Sequence, residues 1–503
     1  MEFCHENSIL RSPAVQRLGQ FVLDWRTQWA DNPPDFERFE RELHEQVMAV
    51  ERELLAEELA RYDVTAEQIE VEGVVYRQAL TSPETYLSAA GPITLPRHLY
   101  RPSGRGSRSI CPLELQAGII RGYWTPRAAR QAAFVMAQLT PGDSEALFDE
   151  LGGMQPSRSN LDRLPKELSS HWEAQRCEWE AALCAQETVP DEAAVIAISV
   201  DGVTLRMKGK GQTAHRELPG KHGGGPMGQR EAGCGTVVLY DAQGERLQTV
   251  RYGRMPEARK ATLQHQLETE VAGIVAVRPD LRRVLLADGA EPNWHLLSEL
   301  DQVCGPPPQP SVEIVDFYHA CDHLKEGCDA AWGESTPRSK AEFERLKVLL
   351  KEADDGAERI IRVLKYHRGR AKGNKRKRLE TQLTYFRNQR HRMHYAEYLR
   401  ATLPIASGVI EASCKTLVTQ RLKQSGMAWT PTGGQAILTL RSLIQSGRWQ
   451  QAWPLLRADF CKTVITCATP DPLPPMARSV LPTAQQPVRI LGHVSYAALP
   501  LAV

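Results

Sequence analysis

The 503-residue chain has no Cys-x-x-Cys pair; its 11 cysteines are scattered. This excludes a disulfide framework and a four-cysteine zinc site as the organising device. No run of about 18 apolar residues occurs, so no membrane span is expected. Residues 1–10 lack the basic-then-apolar layout of a secretion leader. The stretch 206–232 holds seven glycines and several basic residues but no Gly-Lys-Ser/Thr, so it reads as a DNA-contacting loop and not an ATP site. An excess of either charge is also missing: 62 Lys+Arg face 61 Asp+Glu, for a net +1. Taken alone, that balance speaks against a nucleic-acid partner. What is present, 42% hydrophobic and 24% charged residues, fits a soluble, cytoplasmic, globular chain. Its length predicts about three or four domains.

The neutral total conceals segregation. Residues 35–72 carry 13 acidic and 4 basic residues, and the amphipathic pattern of Phe36, Phe39, Leu43 and Val47 predicts an exposed helix. Residues 358–394 carry 13 Lys/Arg and 2 acids. Lys372, Lys375, Arg376, Lys377 and Arg378 form the densest part of that run. Such a surface displaces counterions from nucleic-acid phosphates, although a solvated helix face has the same composition.

Residues 1–70 read as helical with a break at 31–34. Short β-like runs follow at 73–77 and 98–101. Thr125 and Pro126 open a helix with Ala129, Ala132, Ala133, Met136 and Leu139 inward. Pro141-Gly142-Asp143 begins a second helix, and Ser157 caps a third with Leu161 and Leu164 buried. Pro165 fits the first turn of a fourth, running through Leu168, Trp172, Trp179 and Leu183. With Arg158, Ser159, Asn160 and Arg163 exposed, this is the layout of a helix-turn-helix, or of an ordinary helical hairpin.

Residues 193–330 alternate strand and helix: strands at 194–200, 236–240, 247–252, 283–287 and 312–315, with helices near 257–277 and 292–301. The pattern predicts a mixed α/β sheet. Residues 330–400 read as charged helices. Ser407 can cap a helix over 408–424, another runs near 434–446, and the proline-rich last forty residues read as a loose tail.

Two apolar strands end in Asp201-Gly202 and Asp288-Gly289, at the C-terminal sheet edge where α/β folds place their chemistry. An Asp-Gly can merely make a turn. Two carboxylates brought together repel unless a cation joins them, and magnesium takes hard oxygen ligands. Two such ions about 4 Å apart suit phosphoryl transfer. A third carboxylate would complete the set. Glu411 fits, in the first turns of a helix whose apolar side carries Ile410, Cys414, Leu417 and Val418; on periodicity Glu397 or a surface glutamate fits nearly as well.

Several stretches carry a resemblance. They are Arg97–Arg101, Cys111–Leu115, Gly122–Ala129, Glu150–Met154, Leu161–Lys166, the segments around Asp201, Asp288 and Glu411, and Gln420–Met427. Over about residues 70–455 the chain resembles bacterial insertion-sequence transposases of the Asp-Asp-Glu type, most closely the ISKra-type group. The resemblance implies an RNase H-like core, α/β and α, interrupted by a helical insertion and preceded by a helix-turn-helix region. The implied division is 1–115, 116–188 (DNA-binding), 189–330 (first part of the core), 331–402 (basic insertion), 403–460 (last part of the core) and 461–503 (tail). It implies Asp201, Asp288 and Glu411 as ligands of two Mg²⁺ or Mn²⁺ ions. A water would be activated to cut transposon ends, and the freed 3′-hydroxyl would attack target DNA. Arg158 and Arg163 would contact the terminal repeats, the basic insertion would hold other DNA, and the enzyme would act as a homodimer or larger assembly. Asp316-Phe317-Tyr318-His319 resembles the Cys-or-Asp-x-x-His motif of Mutator and hAT transposases, so Asp316 and His319 would orient the site or contact DNA. His319 and His323 lack the intervening glutamate of a zinc protease, and zinc is not expected. Related enzymes often begin with a zinc ribbon, but Cys111 stands alone in that region. Trp294 can stack on a base or pack internally.

Overall fold

The computed structural model describes residues 12–29, 35–102, 108–208 and 228–467. The break at 31–34, most of the glycine-rich stretch and most of the tail lie outside the described residues.

Helices α1 (Pro13–Gln28) and α2 (Phe36–Ala60) come first. The Asp35 side chain accepts from the Glu37 amide, capping α2. Phe39 meets Phe21 and Trp25 of α1, whereas Phe36 and Val47 stay exposed. A first sheet then forms from β1 (Gln68–Val71), β2 (Val74–Ser88) and β3 (Gly91–Pro102). Where the sequence predicts two short strands, β2 and β3 make one long antiparallel hairpin. Pro83 lies opposite Pro96, so both missing N–H donors fall at one rung and the ladder continues on either side.

After α3 (Pro112–Ala117) come α4 (Pro126–Gln138) and α5 (Pro141–Leu151). The inward alanines of α4 are fully buried. Thr140, one residue before the predicted start, caps α5 by accepting from the Asp143 amide. Ser157 caps α6 (Arg158–Ala174) as expected, accepting from the Asn160 amide at 3.4 Å. The expected boundary at Pro165 is absent. The proline lies inside α6, because Leu161, Leu164, Leu168 and Trp172 make one apolar stripe that is buried along its whole length. Helix α7 (Arg176–Gln186) completes this unit.

The second sheet holds β4 (Ala193–Arg206), β5 (Gln229–Asp241), β6 (Arg246–Arg254), β7 (Arg282–Ala287) and β8 (Val312–Val315) in the order β6-β5-β4-β7-β8. The first three strands form an antiparallel meander. β7 runs parallel to β4, and β8 parallel to β7. Gly244, at φ +84°, serves the β5–β6 turn, where the Asp241 carboxylate accepts from the Gln243 and Glu245 amides. Helices α8 (Ala261–Val277) and α9 (Glu291–Val303) make the crossovers to β7 and β8. The chain is thus mixed α/β with two sheets, one of them of mixed direction.

The charged segment folds into α10 (Phe317–Trp332), α11 (Pro337–Glu352), α12 (Gly356–Arg370), α13 (Gly373–Gln389) and α14 (Tyr395–Arg400). Its buried Leu346, Leu364, Leu383 and Phe386 join the same core as strand residues Ile198 and Leu286.

The return to the sheet is α15 (Gly408–Ser413), a π-helical turn over Cys414–Thr419, and one further turn to Leu422. Ser407 stands at the N-cap but its side chain makes no capping bond. Helices α16 (Pro431–Gln445) and α17 (Trp449–Asp459) follow. Leu440, Leu443, Trp453 and Leu456 pack into one core with the alanine face of α4 and the leucine stripe of α6. Strand β9 (Ile465–Thr466) then pairs with β1, so the start of the expected loose tail closes the N-terminal sheet.

Candidate active site

The register of the second sheet decides the placement of the two aspartates. Val200 on β4 is the parallel partner of Ala287 on β7. Asp201 and Asp288 therefore follow at the same edge of neighbouring strands, about 5 Å apart along the hydrogen-bonding direction. Both are half-buried.

Asp201 Oδ1 accepts from the Gly202 amide at 2.7 Å, and Oδ2 accepts from the Cys414 thiol at 3.5 Å. Burial raises its carboxyl above the usual range; the Asp288 charge adds to this, while the Gly202 amide, the Cys414 thiol and Lys260 oppose it. Cys414 is kept protonated, first by its hydrogen bond with Cys234 and then by burial. Cys234 is itself the cross-strand partner of Asp201 on β5.

Asp288 is held from α9. Its Oδ1 accepts from the Ala290 amide at 3.1 Å and from Asn293 Nδ2 at 3.0 Å. Lys260 Nζ donates to Asn293 Oδ1 at 2.9 Å and pairs with Glu231 at 2.8 Å, placing one cation beside the aspartates. Trp294 is buried. Its indole N–H donates to the Asp288 carbonyl at 2.8 Å, and the Arg392 guanidinium lies 3.9 Å from its ring centre. Its place is under the Asp288 loop.

Asp316 is buried and joins three segments. Its amide donates to the Ala287 carbonyl at 2.9 Å, its Oδ1 accepts from the His319 amide at 2.5 Å, and its Oδ2 accepts from the Ser407 amide. The strand carrying Asp288 is thereby tied to the segment that opens the Glu411 helix. His319 is half-buried, its ring centre 5.0 Å from that of His323 and 6.1 Å from that of Tyr385.

Glu411 lies on α15, exposed to solvent, one helical turn before Cys414. The structure thus brings Asp201 and Asp288 together, with Cys414 of the Glu411 helix touching Asp201. Among the described residues no three His, Cys, Asp or Glu side chains converge to hold a metal ion. Two neighbouring carboxylates, one with a raised carboxyl, nevertheless have the hard-oxygen donor chemistry that a divalent cation satisfies.

The basic surfaces lie elsewhere. Arg158 and Arg163 are exposed on α6, Arg158 pairing with Glu145 at 3.4 Å. Lys372, Arg376 and Lys377 are exposed with no ion pair among the described residues. Lys375 Nζ donates to the Ala331 carbonyl at 2.8 Å, and Arg378 pairs with Glu334 at 3.7 Å.

Sequence reasoning did not single out Lys260, Asn293, Tyr385 or Cys414 as site residues. Asn293 carries a usable signal, an amide five residues beyond Asp288 in the first turn of a helix. The other three reach the site only through tertiary packing.

No protein-family model matches the chain, and no curated protein matches it. Among solved structures, it is similar to the Drosophila P element transposase strand transfer complex. Identity is 12%, over 67% of this chain and 83% of that one, with a TM-score of 0.27. Among the described residues no helix is long and apolar enough to cross a membrane.

Proposed function

We propose that the chain is a DNA transposase whose second sheet is an RNase H-like core. The observation that carries this reading is the placement of Asp201 and Asp288 on adjacent parallel strands, β4 and β7, beside an antiparallel meander. An antiparallel meander continued by two parallel strands fits the RNase H-like core that the resemblance implies, with Asp201 and Asp288 as its first two acidic residues. The segregation of basic residues onto α6 and onto the insertion supports DNA as the partner.

In this reading Asp201 and Asp288 would hold one or two divalent cations, Mg²⁺ or Mn²⁺, with Glu411 of α15 as the third carboxylate. A cation bound there supplies neutralisation of phosphodiester charge. The chain's own residues do the rest. Asn293 and the Ala290 amide fix the Asp288 carboxylate, and Gly202 and Cys414 fix Asp201. Asp316 holds the Glu411 segment against the strand ends. Arg158 and Arg163 contact transposon ends, and Lys372, Lys375, Arg376, Lys377 and Arg378 contact flanking or target DNA. Cutting and joining two ends calls for a homodimer or a larger assembly.

The exposed Glu411 favours a second reading, DNA binding without cleavage. Asp201→Asn separates the two. The proposed enzyme nicks inverted-repeat DNA with Mg²⁺, and the variant binds the same DNA without nicking it. A wild type that binds and never nicks supports the second reading.

A further inference from the structure

The Glu411 helix is not held by its own geometry. A π-helical turn inserts one extra residue per turn, re-phases the side chains on either side of it, and leaves backbone carbonyls poorly served. That turn, Cys414–Thr419, lies between Glu411 and the rest of its helix, and it contains the cysteine that touches Asp201.

Two side chains of α16 serve the turn from outside it: Gln445 Nε2 donates to the Thr416 carbonyl at 3.3 Å, and Arg441 reaches two of its carbonyls. Arg441, on α16, is almost wholly buried. Its Nε donates to the Leu417 carbonyl at 2.9 Å and its Nη2 to the Thr416 carbonyl. The same guanidinium reaches the other way. Its Nη1 donates to the Ala137 carbonyl and, at 3.0 Å, to Gln138 Oε1, at the C-terminal end of α4. The Ala137 carbonyl belongs to the last turn of α4, whose carbonyls lack intrahelical partners and favour a cation; Arg421, just after the π-turn, donates to the neighbouring Met136 carbonyl at 3.4 Å. No carboxylate pairs with Arg441 among the described residues. Burial lowers its pKa to about 10, so it remains charged at neutral pH. A planar fork of donors is needed to reach both ends at once, and lysine cannot supply it.

We infer that Arg441 is a positioning residue: it joins the α4–α6 helical unit to the π-turn and so sets the place of Glu411 and Cys414 relative to Asp201. Engagement of DNA by the helical unit is felt through this fork at the acidic edge of the sheet. The inference deepens the transposase reading and rests on it for the DNA part alone.

The experiment compares full-length wild type, Arg441→Lys and Arg441→Met. First, hydrogen exchange of residues 408–422 is followed without DNA. Exchange at least tenfold faster in both variants is expected, with the β4 and β7 amides unchanged. Equal exchange in wild type and variants overturns the inference, whatever the protein's function. Second, a duplex carrying the inverted repeat is added with Mg²⁺. Both variants are expected to bind it with wild-type affinity and to cleave it at least tenfold more slowly, while DNA slows exchange at 408–422 in the wild type only. Wild-type cleavage by Arg441→Met, or equal slowing of exchange in all three proteins, overturns the inference with the transposase reading intact. Failure of the wild type to bind or cleave contradicts the transposase reading, and the exchange result without DNA still decides the role of Arg441.

Discussion

The ring of Tyr385 lies against Gly289. A Cβ placed on Gly289 would meet Tyr385 Cε2 at 2.4 Å, and Gln389 of the same helix donates to the Gly289 carbonyl at 3.2 Å. Helix α13 is thus seated on the residue after Asp288, and only glycine permits that approach. Gly289→Ala is expected to destabilise the protein by about 1–3 kcal/mol through overpacking and to displace α13. A urea unfolding midpoint equal to that of the wild type would show that the contact is slack.

Asp316 ties three segments together, and its loss leaves the His319 and Ser407 amides without their acceptor. Asp316→Ala is expected to cost about 2–3 kcal/mol, a lost cap together with a partly buried orphan donor. Hydrogen exchange at residues 405–411 should rise more than at α8. Uniform exchange across the protein would argue against a local tie.

Arg448 is nearly inaccessible and bonds Glu187, Glu270 and the Tyr252 hydroxyl. It links the start of α17 to β6, α8 and the segment entering β4. Arg448→Met leaves two carboxylates without their cation, so a loss of about 3–5 kcal/mol is expected. Glu270→Gln together with Arg448→Met should recover part of that loss, read from unfolding midpoints. No recovery would mean that the charges are not the source of the cost.

The strand–helix alternation of residues 193–315 was legible because buried strands are continuous apolar runs and Asp-Gly marks two of their ends. The long β2–β3 hairpin was hidden by Pro83, Gly91, Pro92 and Pro96, which locally read as breaks; only their pairing across the hairpin makes them tolerable. Pro165 misled in the opposite direction, since the packing of α6 on α4 and α16 overrides a local helix breaker. Asp201 and Asp288 could be picked from sequence as strand ends. Their adjacency depends on which strands pair, and the supports from Lys260, Tyr385, Cys414 and Arg441 come from distant segments with no local signature. The pairing of β9 with β1 joins residues 69–70 to residues 465–466, beyond the reach of any local pattern.

In the proposed transposase the exposed cations at the start of α13 should act through phosphates. Replacing Lys372, Arg376 and Lys377 together with alanine is expected to weaken binding to all duplexes alike. The slope of log affinity against log salt should become shallower by about 1–3, one contact contributing about 0.9. An unchanged slope in a fluorescence-anisotropy titration would remove this surface from the DNA path.

In the proposed transposase the paired aspartates catalyse cutting and joining of DNA. The most direct test incubates the protein with inverted-repeat ends, a supercoiled plasmid and Mg²⁺, and scores covalently joined end–plasmid product. Joined product is expected with wild type and none with Asp201→Asn or Asp288→Asn, although both variants still bind the ends. Joined product made equally well by either variant, or no product from a wild type that binds the ends, would contradict this role.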